Sequence, residues 1–400
     1  MINTSHLDYL YEEIKVSGKS MGIIHIYSNY PDYKWIDDAD EGIACVDDAA
    51  RAAQFYMKHF NLTSKETSYK KTKKLLEFLI FMQSDNGYFY NFIWSDFTIN
   101  KTFKTSKAKP DWWTWRAITA LTDGYSFFQN RDSAFASIIN NSLNKTITSV
   151  KSGLPVKKEI RIINGLKQPV WLPSGTAADQ AALLLLGLIS YSTSTNDSLI
   201  SEYIKDLSEG IVMMQTGDAE MFPFGAFLSW QNLWHAYGNM QSYALLSLFE
   251  FCNSNNIKEA ALTEINNFYK YLSNNLYLNS FTVSKKLNKY VVDDKSIFPQ
   301  IAYGIRPMVY ACLKAFDVTK DTIYAEQAGV IATWLIGNNL AKKQMYNIEN
   351  GRCYDGINSE TNINLNSGAE STIEALLTVL AVERNPISKR IFHNYLKRTN

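Results

Sequence analysis

The chain has 400 residues, 46% of them hydrophobic and 20% charged, and 40 Lys+Arg against 39 Asp+Glu give a formal net charge of +1. That balance excludes a chain-wide electrostatic footprint for nucleic acid or a membrane surface. The longest near-apolar run, Ala181 to Ile189, falls far short of the roughly 20 residues of a membrane helix. No nucleic-acid or membrane partner is expected.

The opening residues, MINTSHLDYLYEE, lack the basic start and apolar core of a secretory signal, which points to the cytoplasm unless a signal has been removed. Beyond them the chain repeats itself. Six segments share an acidic, aromatic or glycine-containing start followed by alanines and a nearly all-apolar stretch. They begin near Asp47, Trp113, Ala177, Tyr237, Gly304 and Ala369, at spacings of 66, 64, 60, 67 and 65 residues. A fixed period of this kind marks a repeated structural unit.

Between these segments lie one-sided patterns. Tyr69, Leu76, Leu79 and Ile80 oppose Lys70, Lys73, Lys74 and Glu77. Leu199, Ile200, Tyr203, Ile204, Leu207, Ile211 and Met214 oppose Glu202, Lys205, Asp206 and Glu209. Ala261, Ile265, Phe268, Tyr269, Leu272 and Leu276 repeat the spacing. A helix apolar all round must be buried, and a one-sided helix faces solvent. Six inner helices alternating with six outer ones predict an all-α fold, an (α/α)6 barrel made of six hairpins. The last outer helix is predicted to start at Pro386, a residue suited to the first turn. One domain, 1–400, then takes the whole chain, with 1–40 packing on the rim.

The connections are unequal. Inner-to-outer links are short, for example Asn61 to Lys65 and Arg384 to Asn385. Outer-to-inner links are long: about Ser84 to Asp111, Ser152 to Gly175, Thr216 to Leu233, Tyr277 to Gln300 and Asn339 to Ser367. Loops longer than about 12–15 residues in a compact domain tend to be functional or disordered, and these are rich in Trp, Tyr, Phe and Gly. All five end where an inner helix begins, so they crowd one rim, and the active face is expected there.

Trp35, Trp94, Trp112, Trp113, Trp115, Trp171, Trp230 and Trp234 fall on those loops, on the N-terminal loop or at inner-helix starts. Aromatic rings with a polar edge suit stacking on sugars, so Trp112, Trp113, Trp171 and Trp234 are expected to form subsites, although long loops also need small cores of their own. Asp47, Asp48, Asp111, Glu370 and Glu374 gather at the same end. In a closed ring helix six neighbours helix one, so residues from opposite ends of the sequence face each other. Glycoside hydrolysis needs such a carboxyl pair. Capping competes as an explanation, because aspartates commonly cap helices and Ser367-Gly-Ala-Glu370 has the spacing of a capping box.

Arg116 and Arg306 also lie in inner-helix starts, where a cation opposes the helix dipole and calls for a carboxylate partner or an anionic ligand. Glu374, if buried, needs Arg51 or Arg306. His235 and Tyr237 beside Trp234, with Tyr303, complete the expected rim contacts. The four cysteines, Cys45, Cys252, Cys312 and Cys353, show no CxxC pairing and read as buried free thiols. Five scattered histidines, with no HExxH, P-loop or glycine-rich fingerprint, lead to an expectation of no metal and no cofactor.

In architecture, and in EGIACVDDAARAA (41–53), QSDNGYFYNF (83–92), QTGDAEMFPF (215–224) and GRCYDGI with NSGAESTIEAL (351–376), the chain resembles the six-hairpin glycosidase superfamily. Glycoside hydrolase family 9 is the nearest well-known shape. The resemblance implies a carbohydrate substrate and an inverting hydrolase, with Asp47 or Asp48 as base and Glu370 as acid. Tyr354 and Asp355 of the GRCYDGI stretch join the expected substrate contacts. The family 9 aspartate motif is not spelled as usual, and Ala369-Glu370-Ser371 replaces its asparagine–glutamate signature, which implies a separate branch. Other classes fit the same barrel: a lyase using Tyr237, His235 or Arg306, an epimerase using His25 and His235, or a glycan-binding protein whose carboxylates only cap. A terpene-cyclase-like barrel has only the acidic run 37–41 in its favour. Oligomeric state is not legible.

Overall fold

A computed structural model describes residues 1–287 and 289–399. Among them, six helices form an inner ring: Val46–Thr63, Trp112–Phe128, Ala178–Ser192, Gln241–Cys252, Arg306–Thr319 and Ala369–Arg384. Each packs on the next, and the sixth packs on the first, so the ring closes. The reason is in the sequence. Segments such as ADQAALLLLGLISYS bury residues on every side, and only a position surrounded by other helices satisfies such a surface.

The outer layer consists of Glu66–Phe81, Ser133–Ser152, Ser198–Met213, Asn255–Glu264 with its continuation, Thr322–Ala332 and Pro386–Thr399. The first of these puts Leu75, Leu76, Phe78 and Leu79 inside and leaves Lys70 exposed on the opposite face, as a one-sided pattern requires, while Lys71 is largely covered where it pairs with Asp8. The last begins at Pro386, as the sequence predicts. In the fourth, a π-helical turn, Ile265–Tyr269, interrupts the α-helix before Lys270–Asn274. This is the (α/α)6 barrel read from the periodicity. Among the described residues no helix is long and apolar enough to cross a membrane.

The N-terminal segment 1–40 does not sit wholly on the rim as expected. The helix Ser5–Leu10 packs against the sixth inner helix, and the hairpin Tyr11–Val16/Lys19–Ile24 lies along the first outer helix, where Lys74 Nζ donates to the Ser20 carbonyl at 3.2 Å. The rim is reached at the start, where Asn3 donates to the Ile348 and Glu349 carbonyls of the last long loop and His6 Nε2 lies 2.8 Å from the Ser367 carbonyl, and again by the stretch after the hairpin. There the amides of Ser367 and Ala369 donate to the carbonyls of Ser28 and Ile26, fixing the approach to the sixth inner helix.

The five long loops fold into small antiparallel sheets. Leu233–His235, Ser280–Lys286 and Lys289–Ser296 form a three-stranded sheet. Ile160–Ile163 and Leu166–Pro169 form a hairpin. Its turn, Asn164-Gly165, has φ of 51° and 76°, the two positive values of a type I′ turn. A side chain at Gly165 would collide with the Lys285 carbonyl on the neighbouring sheet. Cys45, Cys312 and Cys353 are buried free thiols, but Cys252, expected to be buried, is exposed at the end of its helix.

Candidate active site

The site is built at the N-terminal ends of the inner helices. On the first, the residue that caps is Cys45: its thiol accepts from the Asp48 amide at 3.3 Å. Asp47 and Asp48 are therefore free of capping. Asp47 ion-pairs with Arg116 and lies 3.6 Å from Arg51, while Asp48 binds Arg51 at 2.7 Å. On the sixth, the Ser367–Glu370 capping box does not form. Asp355 takes its place, accepting from the Gly368 amide at 2.8 Å and the Ser371 hydroxyl at 2.5 Å, and Glu370 turns instead to Arg51 at 3.0 Å.

These contacts make one network. Arg51 also meets Glu374 at 3.1 Å, and Glu374 is held from the other side by Arg306. Arg51, Arg116 and Arg306 stand 5.1, 5.2 and 5.7 Å from the ring centre of Tyr303, and Arg116 donates to its hydroxyl. Four carboxylates and three guanidiniums thus satisfy one another where unpaired charge would be costly. Arg116 and Arg306 find the carboxylate partners their positions call for.

Exposure divides the carboxylates. Side chains of Asp48 and Glu374 are 4% and 0% exposed, whereas Asp47 and Glu370 are 20% and 44% exposed. Burial pushes Asp48 up to about 6, against the pull of Arg51 and reinforced by the charges of Glu370 and Asp47. Both of its oxygens are engaged, by Arg51 and by the Cys45 thiol, so Asp48 faces protein rather than the cleft.

A second cluster adjoins the first. His235 Nε2 lies 3.0 Å from Asp179, and Nδ1 contacts the Tyr237 carbonyl at 2.9 Å. A carbonyl only accepts, so Nδ1 carries a proton. The Tyr237 ring stacks on His235 at 3.8 Å, and Trp112 lies 6.4 and 6.5 Å from the two rings. Burial raises the Tyr237 hydroxyl, and the charges of Asp179 and Glu370 add to the effect. Tyr237 is 42% exposed. Asp179, missed in the sequence, occupies the first turn of the third inner helix, the register at which Asp47, Asp48 and Glu370 also sit. That shared position was the available signal.

Several expected contacts do not reach the cleft. Trp113 is buried with Nε1 donating to the Phe89 carbonyl at 2.6 Å, and Trp171 likewise to Asp206 at 2.9 Å. Trp234 is buried between Phe281 and Phe268. These rings form the loops' own cores, so the subsites expected of them are not made, and of the four tryptophans only Trp112 faces the cleft cluster. Asp111 caps its helix through the Trp112 amide and pairs with Lys109. Asp355 is committed to the start of the sixth helix. Tyr354 is half-buried and interacts with Tyr33 of the N-terminal loop. Tyr303 lies buried beneath the arginines. His25 pairs with Glu12 at 2.8 Å and stacks on Trp35. Among the described residues no three His, Cys, Asp or Glu side chains converge as a metal site.

No family model and no curated protein matches this sequence. Solved structures do match in fold. A sugar epimerase from a ruminal bacterium aligns with a TM-score of 0.61 at 11% identity, over 91% of this chain and 93% of that one. A family 76 glycoside hydrolase from a bovine Bacteroides thetaiotaomicron strain aligns at 0.59 and 11%, over 94% and 75%. A cellulase of C. cellulolyticum aligns at 0.54 and 12%, over 91% and 88%. The chain has the six-hairpin (α/α)6 fold that these enzymes share, at an identity that speaks for the fold alone.

Proposed function

We propose that this chain is a carbohydrate-active enzyme and, within that class, a glycoside hydrolase working with two carboxyl groups at the barrel mouth. The observation that carries this reading is the meeting of Asp47 and Glu370 on one guanidinium, Arg51. They come from the first and last inner helices, both reach solvent, and neither caps. The activities named for the fold's neighbours, sugar epimerisation and glycan hydrolysis, support a sugar as substrate.

Glu370, the more exposed, protonates the leaving glycosidic oxygen as its bond to the anomeric carbon breaks. Asp47 takes a proton from the water whose oxygen forms the new bond. Contact with adjacent nitrogens of Arg51 limits their facing oxygens to about 9 Å apart, which admits the roughly 6.5–9.5 Å of an inverting pair. Asp48 and Glu374 hold Arg51 in place. Tyr237 and Trp112 offer aromatic faces to the sugar.

Two competing chemistries fit the side chains less well. An epimerase built on the two rim histidines would need both at the cleft, and His25 is turned to Glu12 and stacked on Trp35 instead. A lyase acting on uronic acids needs a cation for the substrate carboxylate, and each of the three arginines already has a carboxylate partner.

The test is mass spectrometry of neutral and uronic glycans incubated with the protein and EDTA. Fragments that together gain one water per cleavage support hydrolysis. Cleavage without added water means a lyase, and rearrangement at constant mass, read by chromatography, means an epimerase; either overturns the reading.

A further inference from the structure

Tyr237 is tethered by a single side chain. The strand before it, Leu233–His235, pairs with Ser280–Lys286, and the Ala236 amide still donates to the Asn279 carbonyl at 2.8 Å. At Tyr237 the chain leaves that sheet. Among the described residues, the one hydrogen bond Tyr237 makes is the one its carbonyl accepts from His235 Nδ1 at 2.9 Å. Its ring meets the same imidazole at 3.8 Å with an interplanar angle of 12°, while Trp112 and Tyr303 stand back at 6.5 Å. One imidazole therefore governs both the backbone and the ring of a residue that reaches solvent.

The imidazole is fixed in its turn. Nε2 faces the Asp179 carboxyl group at 3.0 Å, with the two side chains 7% and 3% exposed. The other oxygen of Asp179 accepts from the Gln180 amide at 2.6 Å, which sets its orientation. The His235 amide donates to the Ser229 hydroxyl at 3.1 Å, that hydroxyl donates to Asn239 at 2.9 Å, and the Asn239 side chain returns to the His235 carbonyl. Because Nδ1 spends its proton on a carbonyl, the bond between Nε2 and Asp179 holds one further proton, on either partner. Such a pair can be read as a satisfied core contact. Yet a buried pair is weak grounds for stability, and an apolar pair would fill the space without the desolvation cost. What an apolar pair would not do is fix the rotation of a flat ring. The χ2 torsion of histidine is broad, so without a partner at each nitrogen the imidazole would turn and carry the stacked tyrosine with it.

We propose that Asp179 and His235 are positioning residues: Asp179 sets the imidazole, and the imidazole sets Tyr237 as a rigid aromatic floor for the sugar. The inference rests on the reading of Tyr237 as a sugar contact, and it makes neither Asp179 nor His235 a reacting group. A ring ordered before the substrate arrives loses no rotamer freedom on binding. Its contribution is the same for bound substrate and transition state, so it falls on KM and not on kcat.

The experiment pairs ring order with kinetics on the full chain. Tyrosine-selective NMR relaxation, with the Tyr237 signal identified by its absence from Tyr237→Ala, reads ring motion on the ps–ns timescale. The ring should be rigid in the wild type and in Asp179→Asn, whose amide donates to Nε2 of the neutral imidazole. It should become mobile in Asp179→Ala and in His235→Gln. For a glycan that the chain turns over, those two variants should raise KM roughly five- to tenfold, the worth of one aromatic contact, with kcat within about twofold of wild type. Asp179→Asn should keep the wild-type KM. On a Tyr237→Ala background His235→Gln should add nothing, since residues that act through one another are not additive. If Asp179→Ala fails to fold, His235→Gln carries the test, because a glutamine amide can still donate to Asp179. A Tyr237 ring that stays rigid in the variants, or an Asp179→Asn as impaired as Asp179→Ala, overturns the proposal. So does a His235→Gln whose kcat falls by orders of magnitude at unchanged KM. Ring motion needs no substrate, so a chain that turns over no glycan defeats the hydrolase reading while relaxation still decides whether Asp179 and His235 hold Tyr237.

Discussion

Glu370 and Glu374 stand one turn apart on the same helix and share Arg51, yet their replacement by glutamine should give opposite results. Glu374 is fully buried and is the carboxylate partner of Arg306. Glu374→Gln leaves that guanidinium uncompensated inside the ring, and breaking a buried pair costs about 3–5 kcal/mol. For a chain of 400 residues the unfolding entropy is about 0.8 kcal/mol/K, so the melting temperature should fall by about 4–6 °C. Glu370 is half exposed, and Arg51 keeps Asp48 and Glu374 without it, so Glu370→Gln should cost no more than about 1 kcal/mol and move the melt by about 1 °C. Its kcat should fall by about 10²–10⁴, the worth of a positioned acid, with KM little changed. Calorimetry on both variants, beside turnover of a glycan cleaved by the wild type, reads all four quantities. A Glu370→Gln enzyme within a few-fold of wild-type turnover would falsify the acid role, and a melt as depressed as that of Glu374→Gln would make Glu370 structural.

Further substitutions separate cleft from scaffold. Glu264 is a buried acid pushed up to about 7 by burial, accepting from the Phe227 amide and the Ser242 hydroxyl. With its folded value above its unfolded one, the folded state binds the proton more tightly, so stability falls as pH rises through this window and levels off above it. Between pH 5.5 and 8.5 the wild type should lose about 2 kcal/mol on this account, a loss that Glu264→Gln should not share; parallel pH profiles of the melts would remove the argument. Tyr237→Ala should raise KM with the melt nearly unmoved, whereas Trp234→Ala, which empties a buried ring site, should cost about 3–5 kcal/mol whatever the substrate; the reverse ranking would return Trp234 to the cleft. Asp355→Ala removes both bonds at the start of the sixth inner helix and should cost about 0.5–2 kcal/mol, as a lost cap does, with a lower kcat because Glu370 sits on the turn it anchors. An unchanged melt would show that something else starts the helix.

What the sequence exposed and what it hid follow from the range of the forces involved. Periodicity is local, so the inner segment at Ala178–Ser192 and the last helix at Pro386 are legible from their own residues. The sheet of Leu233–His235, Ser280–Lys286 and Lys289–Ser296 is not, because its outer strand is mostly exposed and shows no buried alternation. Asp179 hides in an apolar run until the packing of the third inner helix beside the fourth brings His235, 56 positions on, against it. The tryptophans mislead for a related reason. Composition places them on the rim loops, but whether a ring faces ligand or protein depends on partners elsewhere in the chain, such as Asp206 for Trp171.

The contacts that close the barrel also build its cleft. Nothing covalent joins the first inner helix to the sixth. Arg51 spans 319 and 323 positions of sequence to reach Glu370 and Glu374, and Arg306 binds Glu374 from the fifth helix. In a ring whose walls are alanine and leucine, these are the directional bonds that set how the last helix turns against the first. Apolar packing tolerates small rotations, but a shared guanidinium does not, since the carboxylates of the first helix meet its Nη2 and those of the sixth its Nη1. The orientation that satisfies Arg51 is also the one that brings Asp47 and Glu370 to the same opening. A buried ion network costs desolvation that well-packed leucines would avoid, and its presence here is explained if the relative placement of those two exposed carboxylates is what the ring is built to hold.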